Sequence, residues 1–246
     1  MKSISIAAPV FNEELNIENC VKVWIDVLTE LKIKDYEIIL CDDKSTDNSK
    51  KVIQELSQNN EKIKLVCHDK NQGAAKAVIT AGNQASMERI LFVDSDGQFP
   101  RNSIRDIILK SNQYENSVIF GARQVKEDSS LTQVGTKLTT ILFNLIYNKD
   151  FNDISCILKV FPTKIYKKIK LESTGLNVST EMSCRALEAN IDIKETFVSH
   201  KAREFGTSSA AGTRFIKHGL KRIIILKYFL IRKLLTKFGV ISRSDI

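Results

Sequence analysis

The first hundred residues alternate between two hydrophobic patterns, and this alternation predicts strands that are separated by helices. Short apolar runs predict buried strands over residues 3–9, 36–41, 63–68 and from residue 89 onward. Apolar residues that recur every three or four positions predict helices over residues 16–31, 45–59 (with Ser45 or Thr46 as the N-cap) and 74–85. Because a helix of this length follows each strand, we expect a mostly parallel sheet with helices on both faces.

The second half of the chain has a less regular pattern, although the same two periods still predict its elements. We expect helices over residues 101–112, 131–147 and 179–189, and strands over 117–120, within 153–161 and over 191–200. A final helix is predicted from about residue 212 to residue 238. We therefore divide the chain into a single α/β domain, residues 1–211, and a C-terminal basic helix within residues 212–246.

Two acidic residues follow the fourth predicted strand, and Gly97 and Pro100 mark the turn that ends it. Asp94 and Asp96 therefore lie at the carboxyl end of a strand, where open α/β sheets bind ligands. Taken alone, an Asp-X-Asp sequence is more often an acidic turn that only solvates a strand end. The loops after the first and second strands also carry acidic or amide residues at this edge. That convergence favours a site for Mg²⁺ or Mn²⁺, which binds carboxylate and phosphate oxygens.

The composition is that of an ordinary soluble globular protein, with 43% hydrophobic and 27% charged residues in a chain of 246. The five cysteines are scattered and form no Cys-X-X-Cys motif, which argues against a disulfide or zinc framework and favours a reducing compartment. The chain leads directly into a strand-like run, so we expect no signal peptide. No apolar stretch of about 20 residues is present, so we expect no transmembrane helix.

The positive charge is concentrated near the C-terminus. Residues 217–237 contain seven Lys and Arg and no acid, which leaves 30 basic and 29 acidic residues elsewhere. One arc of the predicted helix is apolar and consists of Leu220, Ile223, Ile224, Leu230, Ile231, Leu234, Leu235 and Phe238, although Lys227 lies inside it and Ile225 and Phe229 outside it. Such a helix favours an anionic membrane surface, and the alternative is a helix that packs on the core. No motif or aromatic platform for nucleic acid accompanies the charge.

Eight short segments are distributed in order across nearly the whole chain: residues 9–13 (PVFNE), 42–47 (DDKSTD), 71–73 (NQG), 94–100 (DSDGQFP), 121–123 (GAR), 153–159 (DISCILK), 181–186 (EMSCRA) and 203–209 (REFGTSS). In this order they resemble the family 2 glycosyltransferases of GT-A fold. The resemblance is strongest to the polyprenyl- or dolichyl-phosphate sugar synthases. Each segment is a weak signal by itself, and their agreement in order makes the resemblance specific.

The resemblance implies a role for each matching residue. Those expected to line the nucleotide pocket are Pro9, Phe11, Glu13, Asp43, Gly73 and Asp94. Asp94 is also expected beside the metal, Mg²⁺ or Mn²⁺, with Asp96 and Gln98 as direct ligands. Arg123, Lys159 and Arg203 are expected to face the diphosphate or an acceptor phosphate. The chain departs from the family pattern at Ala75, Lys159 and Ser209, where Gly, Arg and Lys are common, and these differences bear on substrate identity.

The implied reaction transfers a sugar from a UDP- or GDP-linked donor with inversion at the anomeric carbon. Family members that act on hydroxyl groups often carry Glu-Asp just before the segment that matches Glu181, whereas this chain has Val178-Ser179. A hydroxyl acceptor needs a general base and a phosphate does not, so this difference favours polyprenyl phosphate as the acceptor. Glu181 remains a candidate base, and a salt bridge to Arg185 one turn away is its alternative role. We expect a cytoplasmic enzyme that is peripheral at the inner face of the membrane.

Two other functions are compatible with the same motifs. In the first, the same donor chemistry acts on a hydroxyl of a lipid-linked or cell-surface glycan. In the second, the chain is a non-catalytic module that binds a nucleotide sugar at the membrane.

Overall fold

The computed structural model describes residues 1–124, 130–173, 177–203 and 213–237. The strands in these ranges are β1 (Ser3–Val10), β2 (Asp35–Asp42), β3 (Ile63–Cys67), β4 (Arg89–Phe92), β5 (Val118–Arg123), β6 (Lys159–Pro162) and β7 (Ile193–Val198). The helices are α1 (Ile17–Glu30), α2 (Ser49–Asn59), α3 (Ala74–Gln84), α4 (Arg101–Gln113), α5 (Ser130–Tyr147), α6 (Thr163–Tyr166), α7 (Val178–Glu188) and α8 (Thr213–Lys237).

The strands form one seven-stranded sheet in the order β3-β2-β1-β4-β6-β5-β7. Neighbouring strands from β3 to β4 are parallel, β6 runs antiparallel to both β4 and β5, and β5 is parallel to β7. This arrangement confirms the predicted α/β class with a mostly parallel, mixed sheet. Because β1, β2 and β4 are parallel neighbours, the loops that follow them leave the sheet at one edge.

The core forms where the helices cover the apolar strands. β1 and β2 are buried almost throughout, and Trp24 of α1 lies in the same core with 2% of its surface exposed. Gly82 allows α3 to pack closely, since a Cβ atom there would lie 2.6 Å from Tyr166 Oη and 2.8 Å from a ring carbon of Phe92. This packing fixes the position of β4, the strand that leads to Asp94.

The structure corrects two predictions about helices. The second helix begins at Ser49, with Asn48 as its N-cap residue, and not at Ser45 or Thr46. Those two residues lie in the preceding loop, where Asn12 N–H donates to Ser45 Oγ (3.1 Å) and Thr46 N–H donates to Asn12 Oδ1 (2.8 Å). The sequence reading also missed the single turn α6.

Helix α8 packs against α5 and α7. Its Leu226 and Phe229 join Phe143 of α5 and Cys184 of α7 in a second, smaller hydrophobic cluster. Five residues of the predicted apolar arc, Ile223, Ile224, Leu230, Ile231 and Leu234, are exposed and do not pack on the body, whereas the side chains of Leu220 and Phe238 lie outside those that the structure describes. None of the helices in the described ranges is long and apolar enough to span a membrane. The expected domain boundary at residues 211 and 212 lies outside the described residues.

Candidate active site

The turn after β4 is held by hydrogen bonds that fix the positions of two carboxylates. Ser95 Oγ donates to the carbonyl of Pro9 in β1 (2.7 Å), and Gln98 N–H donates to Asp96 Oδ1 (3.1 Å). Gly97 has a φ of +75°, a conformation that strains residues with a side chain. The Asp-X-Asp-Gly sequence therefore forms a defined turn that is attached to the adjacent strand.

Arg203 joins this turn to the loop after β1. Its Nη2 pairs with Glu13 Oε1 and lies 3.5 Å from Asp96 Oδ2, so one guanidinium neutralises carboxylates from two loops. Glu13 Oε2 accepts a second hydrogen bond from Asn16 Nδ2 (2.7 Å). Burial raises the pKa of Glu13, while Asn16 and Arg203 oppose the rise. The arrangement brings together residues that are 190 positions apart in sequence.

Asp94 is the most perturbed carboxyl group of the site. Burial, followed by repulsion from Asp96, raises its pKa to about 7, and the positive charge of Arg123 opposes that rise. Arg123 is held by Asp153, to which its Nε donates at 2.7 Å and its Nη2 at 3.4 Å. Arg123 thus compensates two acids, one of which, Asp153, is almost completely buried.

Asp43 fixes the loop that begins α3. Its Oδ1 accepts the N–H of Gln72 (2.8 Å) and its Oδ2 accepts the N–H of Gly73 (2.7 Å), and Gly73 has a φ of +91°. His68 Nδ1 lies 2.7 Å from the same Oδ1, and its Nε2 lies 2.9 Å from Thr80 Oγ1. This link was not identified from the sequence. The only available signal was its position at the end of a strand.

Two more of the predicted nucleotide-pocket residues lie at this edge. Pro9 is the penultimate residue of β1, and its carbonyl holds Ser95. Phe11 follows that strand and is 42% exposed, which leaves part of its ring open to a ligand. The loops that carry Phe11, Glu13, Asp43 and Asp96 are the loops that follow β1, β2 and β4.

The expectation for Lys159 requires correction. The side chain is completely buried, its Nζ donates to the carbonyls of Ile154 (3.1 Å) and Cys156, and it lies 4.5 Å from the ring centroid of Phe120. Burial lowers the pKa of Lys159 to about 8. In the interior, this ammonium group holds the loop that includes Asp153. The motif gave the position of the lysine but not its burial.

Glu181 is likewise engaged within the protein. Its carboxylate accepts the backbone N–H groups of Glu172 (2.9 Å) and Ser173 (2.8 Å), and Arg185 Nε lies 3.8 Å away. The salt bridge that was the alternative role for Glu181 is therefore present. These bonds attach α7 to the segment after α6 and occupy both carboxylate oxygens.

The oxygen donors at the turn fit a hard divalent ion. Asp94 and Asp96 supply carboxylates, and Gln98 donates from Nε2 to the Lys201 carbonyl (3.0 Å), so its Oε1 remains an oxygen ligand. Among the described residues, no group of three or more His, Cys, Asp or Glu side chains could hold a metal. Carboxylate and amide oxygens are ligands of the type that Mg²⁺ binds, and Mg²⁺ typically uses one or two protein carboxylates together with phosphate oxygens.

Comparison with known proteins supports both the fold and the family. Residues 5–184 match the family described as Glycosyl transferase family 2. The chain is similar to glucosyl-3-phosphoglycerate synthase from Mycobacterium tuberculosis in complex with phosphoglyceric acid, with a TM-score of 0.70, 15% identity, and coverage of 93% of this chain and 80% of that chain. A complex of that synthase with Mn²⁺, uridine diphosphate and phosphoglyceric acid also has a TM-score of 0.70 and 15% identity, with coverage of 93% of this chain and 78% of that chain. S. aureus TarS, residues 1–349, has a TM-score of 0.55 and 21% identity, with coverage of 81% of this chain and 60% of that chain.

Proposed function

Because the chain belongs to glycosyl transferase family 2 and uses a nucleotide sugar, we propose that its acceptor is a polyprenyl phosphate, such as dolichyl or undecaprenyl phosphate. The observation that carries this proposal is the engagement of Glu181 with the backbone of residues 172 and 173. This carboxylate is buried and both its oxygens already accept hydrogen bonds, which makes it a poor base for a hydroxyl, and Val178 and Ser179 carry no carboxylate. A phosphate is already an anion and requires no base.

We also propose that Asp94, Asp96 and Gln98 hold Mg²⁺ or Mn²⁺. When bound, such an ion neutralises negative charge that develops on the leaving diphosphate. A structural neighbour was crystallised with Mn²⁺ together with uridine diphosphate, which supports a divalent metal in this protein. The oxygen ligands described above are of the type that either ion prefers.

The remaining site residues bind and orient the donor. The exposed ring of Phe11 offers a stacking surface for the base, and Asp43 holds the loop around Gly73 that forms part of the pocket wall. Arg203 lies 3.5 Å from Asp96, so its guanidinium is positioned to pair with a phosphate that binds beside that carboxylate. Arg123 is fixed by Asp153 and adds a second positive charge near Asp94.

The decisive experiment supplies radiolabelled UDP- and GDP-sugars, polyprenyl phosphate and Mn²⁺ to the full chain in detergent. We expect a lipid product that releases its sugar in mild acid, as a phosphosugar does. An acid-stable glycoside with a glycolipid acceptor would support the hydroxyl alternative. Donor binding without any turnover would support the binding module. The proposal places the enzyme in the cytoplasm, at the inner face of the membrane where a lipid-linked phosphate is accessible.

A further inference from the structure

The exposed apolar surface of this protein is concentrated on two adjacent helices. Of the thirteen large hydrophobic side chains that are exposed among the described residues, ten belong to α5 or α8. On α5 they form a single stripe at helical spacing, Val134, Leu138, Ile141 and Leu145. The exposed fractions in this stripe reach 74% at Leu145, so these residues lie outside the core.

Helix α8, which packs against α5, carries the other six exposed residues. They are Ile223, Ile224, Tyr228, Leu230, Ile231 and Leu234. The opposite side of α8 packs on the body through Leu226 and Phe229, and Arg232 Nε lies 3.5 Å from Glu188 Oε1 of α7. The docking of α8 therefore turns its apolar arc away from the body. We call the exposed apolar residues of both helices the α5–α8 face.

The charge on these two helices has one sign. Helix α8 contains eight Lys and Arg and helix α5 contains one, and neither helix contains Asp or Glu. Lys227 is exposed among the apolar residues of α8, where a long side chain can keep its ammonium group in water while its stem lies on an apolar surface. An apolar surface with basic and no acidic residues is complementary to the interface of an anionic bilayer.

A second copy of the chain is a poorer occupant of this face. A symmetric contact would place the same basic helices against each other without any acid from α5 or α8 to compensate them. Lipid headgroups provide the missing negative charge, and acyl chains provide the apolar partner. We therefore propose that the α5–α8 face docks on an anionic membrane, and this inference deepens the proposed function because it identifies how the enzyme reaches a lipid-linked acceptor.

The chain connects both helices to the site through short segments. Helix α5 begins seven residues after Arg123, and helix α8 begins ten residues after Arg203. Even fully extended segments of those lengths span only about 25 Å and about 35 Å. The first residues of α5 and α8 therefore lie no further than about 25 Å from Arg123 and about 35 Å from Arg203, respectively.

The test is co-sedimentation of the full chain with vesicles. We expect binding to vesicles that contain about one third phosphatidylglycerol, and weaker binding to pure phosphatidylcholine. The double variant Ile141→Glu, Ile231→Glu introduces one acid on each helix at exposed positions, and we expect it to lose about tenfold or more in vesicle partitioning. The matched control is Leu15→Glu, Phe197→Glu, which adds the same charge at exposed apolar residues outside both helices. Calorimetric titration with a nucleotide verifies that each variant is folded.

Several results would overturn the inference. Failure of the wild-type chain to bind anionic vesicles would do so, as would equal losses in the double variant and the control. A wild-type dimer that the double variant converts into a monomer would assign the face to a second copy instead. If the enzyme transfers sugar to polyprenyl phosphate in detergent but does not bind vesicles, the docking proposal fails and the proposed acceptor stands. If it binds vesicles but does not transfer sugar to polyprenyl phosphate, the proposed acceptor fails and the docking proposal stands.

Discussion

At the scale of single residues, the site gathers carboxyl groups in surroundings that disfavour their negative charge. Burial and mutual repulsion raise the pKa of Asp94 to about 7. Arg123 and Arg203 partly offset that effect from two different loops. Two arginines therefore allow several acids to share one edge of the sheet. A divalent ion adds to the same balance, because it brings positive charge to the same carboxylates.

Replacement of Asp96 tests this balance most directly. Asp96→Asn keeps the shape of the turn but removes a charged ligand, and we expect kcat to fall by about 10²–10³-fold because charge on the leaving diphosphate is no longer neutralised. The measurement is turnover at saturating donor and Mn²⁺. Asp35→Asn, at the exposed start of β2, is the control and leaves turnover unchanged. Equal activity of Asp96→Asn and the wild type would remove Asp96 from the metal site.

His68 tests whether the Asp43 loop serves the nucleotide. His68→Phe keeps the ring but removes both nitrogen atoms that face Asp43 and Thr80. Losing such a buried polar contact costs about 1–2 kcal/mol, so we expect the Kd for the nucleotide to rise about 5–30-fold with little change in kcat. Calorimetric titration and steady-state kinetics separate the two effects. Thr80→Val interrupts only the outer contact and gives a smaller rise. A fall in kcat at constant Kd would contradict this role.

At the scale of elements, the sheet contains a buried carboxylate that links several strands. Glu37 of β2 accepts hydrogen bonds from Ser5 Oγ of β1 (2.6 Å), from Lys64 Nζ of β3 (2.6 Å) and from the N–H of Ser86 (2.7 Å). Burial alone would raise the pKa of Glu37, but these bonds outweigh it and lower the pKa to about 2. Glu37 is therefore ionised in the folded state over the whole physiological range.

This pKa predicts how stability depends on pH. A carboxyl group whose pKa is lower in the folded state stabilises the protein above its unfolded pKa of about 4.5, and that contribution is lost as the pH falls from about 4.5 towards about 2. We expect Glu37→Gln to lower the free energy of unfolding by about 2–3 kcal/mol at neutral pH. Urea unfolding at pH 7 and pH 3 measures this free energy, and the difference in free energy of unfolding between wild type and variant should be smaller at pH 3. A difference that does not depend on pH would show that packing is responsible.

Most elements were predictable because their signals are local. Apolar runs located the seven strands of the described ranges to within a few residues, and the acids after β1, β2 and β4 lie at one edge of the sheet, as predicted. The start of α2 was missed because Ser45 and Thr46 bond to Asn12, a contact between loops that no local pattern reveals. Lys159 and Glu181 were placed by motif, but their partners come from packing and backbone groups that sequence does not specify.

At the scale of the whole molecule, α8 shows the same limit. The sequence revealed an apolar arc, and Ile225 and Phe229 stood outside it as exceptions. Phe229 is 1% exposed in the cluster that joins α8 to α5 and α7, and Ile225 packs against that cluster. Only a few of the apolar residues of α8 therefore pack against the body, and most of the others are exposed. Which side packs depends on Phe143 and Cys184, whose positions follow only from the assembled fold.

The docking of α8 leads to a prediction about how the molecule unfolds. Phe229→Ala removes a buried ring beside Phe143 and beneath the guanidinium of Arg185, whose Cζ lies 5.2 Å from the ring centroid, and the loss is about 3–5 kcal/mol. Because this cluster is separate from the main core, we expect α8 to detach while β1–β4 remain folded. Hydrogen exchange should then show faster exchange in α8 and in the facing side of α5, with exchange in the sheet and nucleotide affinity unchanged.

The same measurement decides whether residues 1–211 form a unit that is stable without α8. Ile224→Ala, on the exposed side of the same helix, is the matched control, because it shortens an apolar side chain that is 63% exposed. It should leave the exchange of α8 unchanged and weaken only vesicle binding. If Phe229→Ala instead accelerates exchange throughout the sheet, α8 and the α/β body unfold as one cooperative unit, and the division of the chain at residue 211 has no energetic meaning.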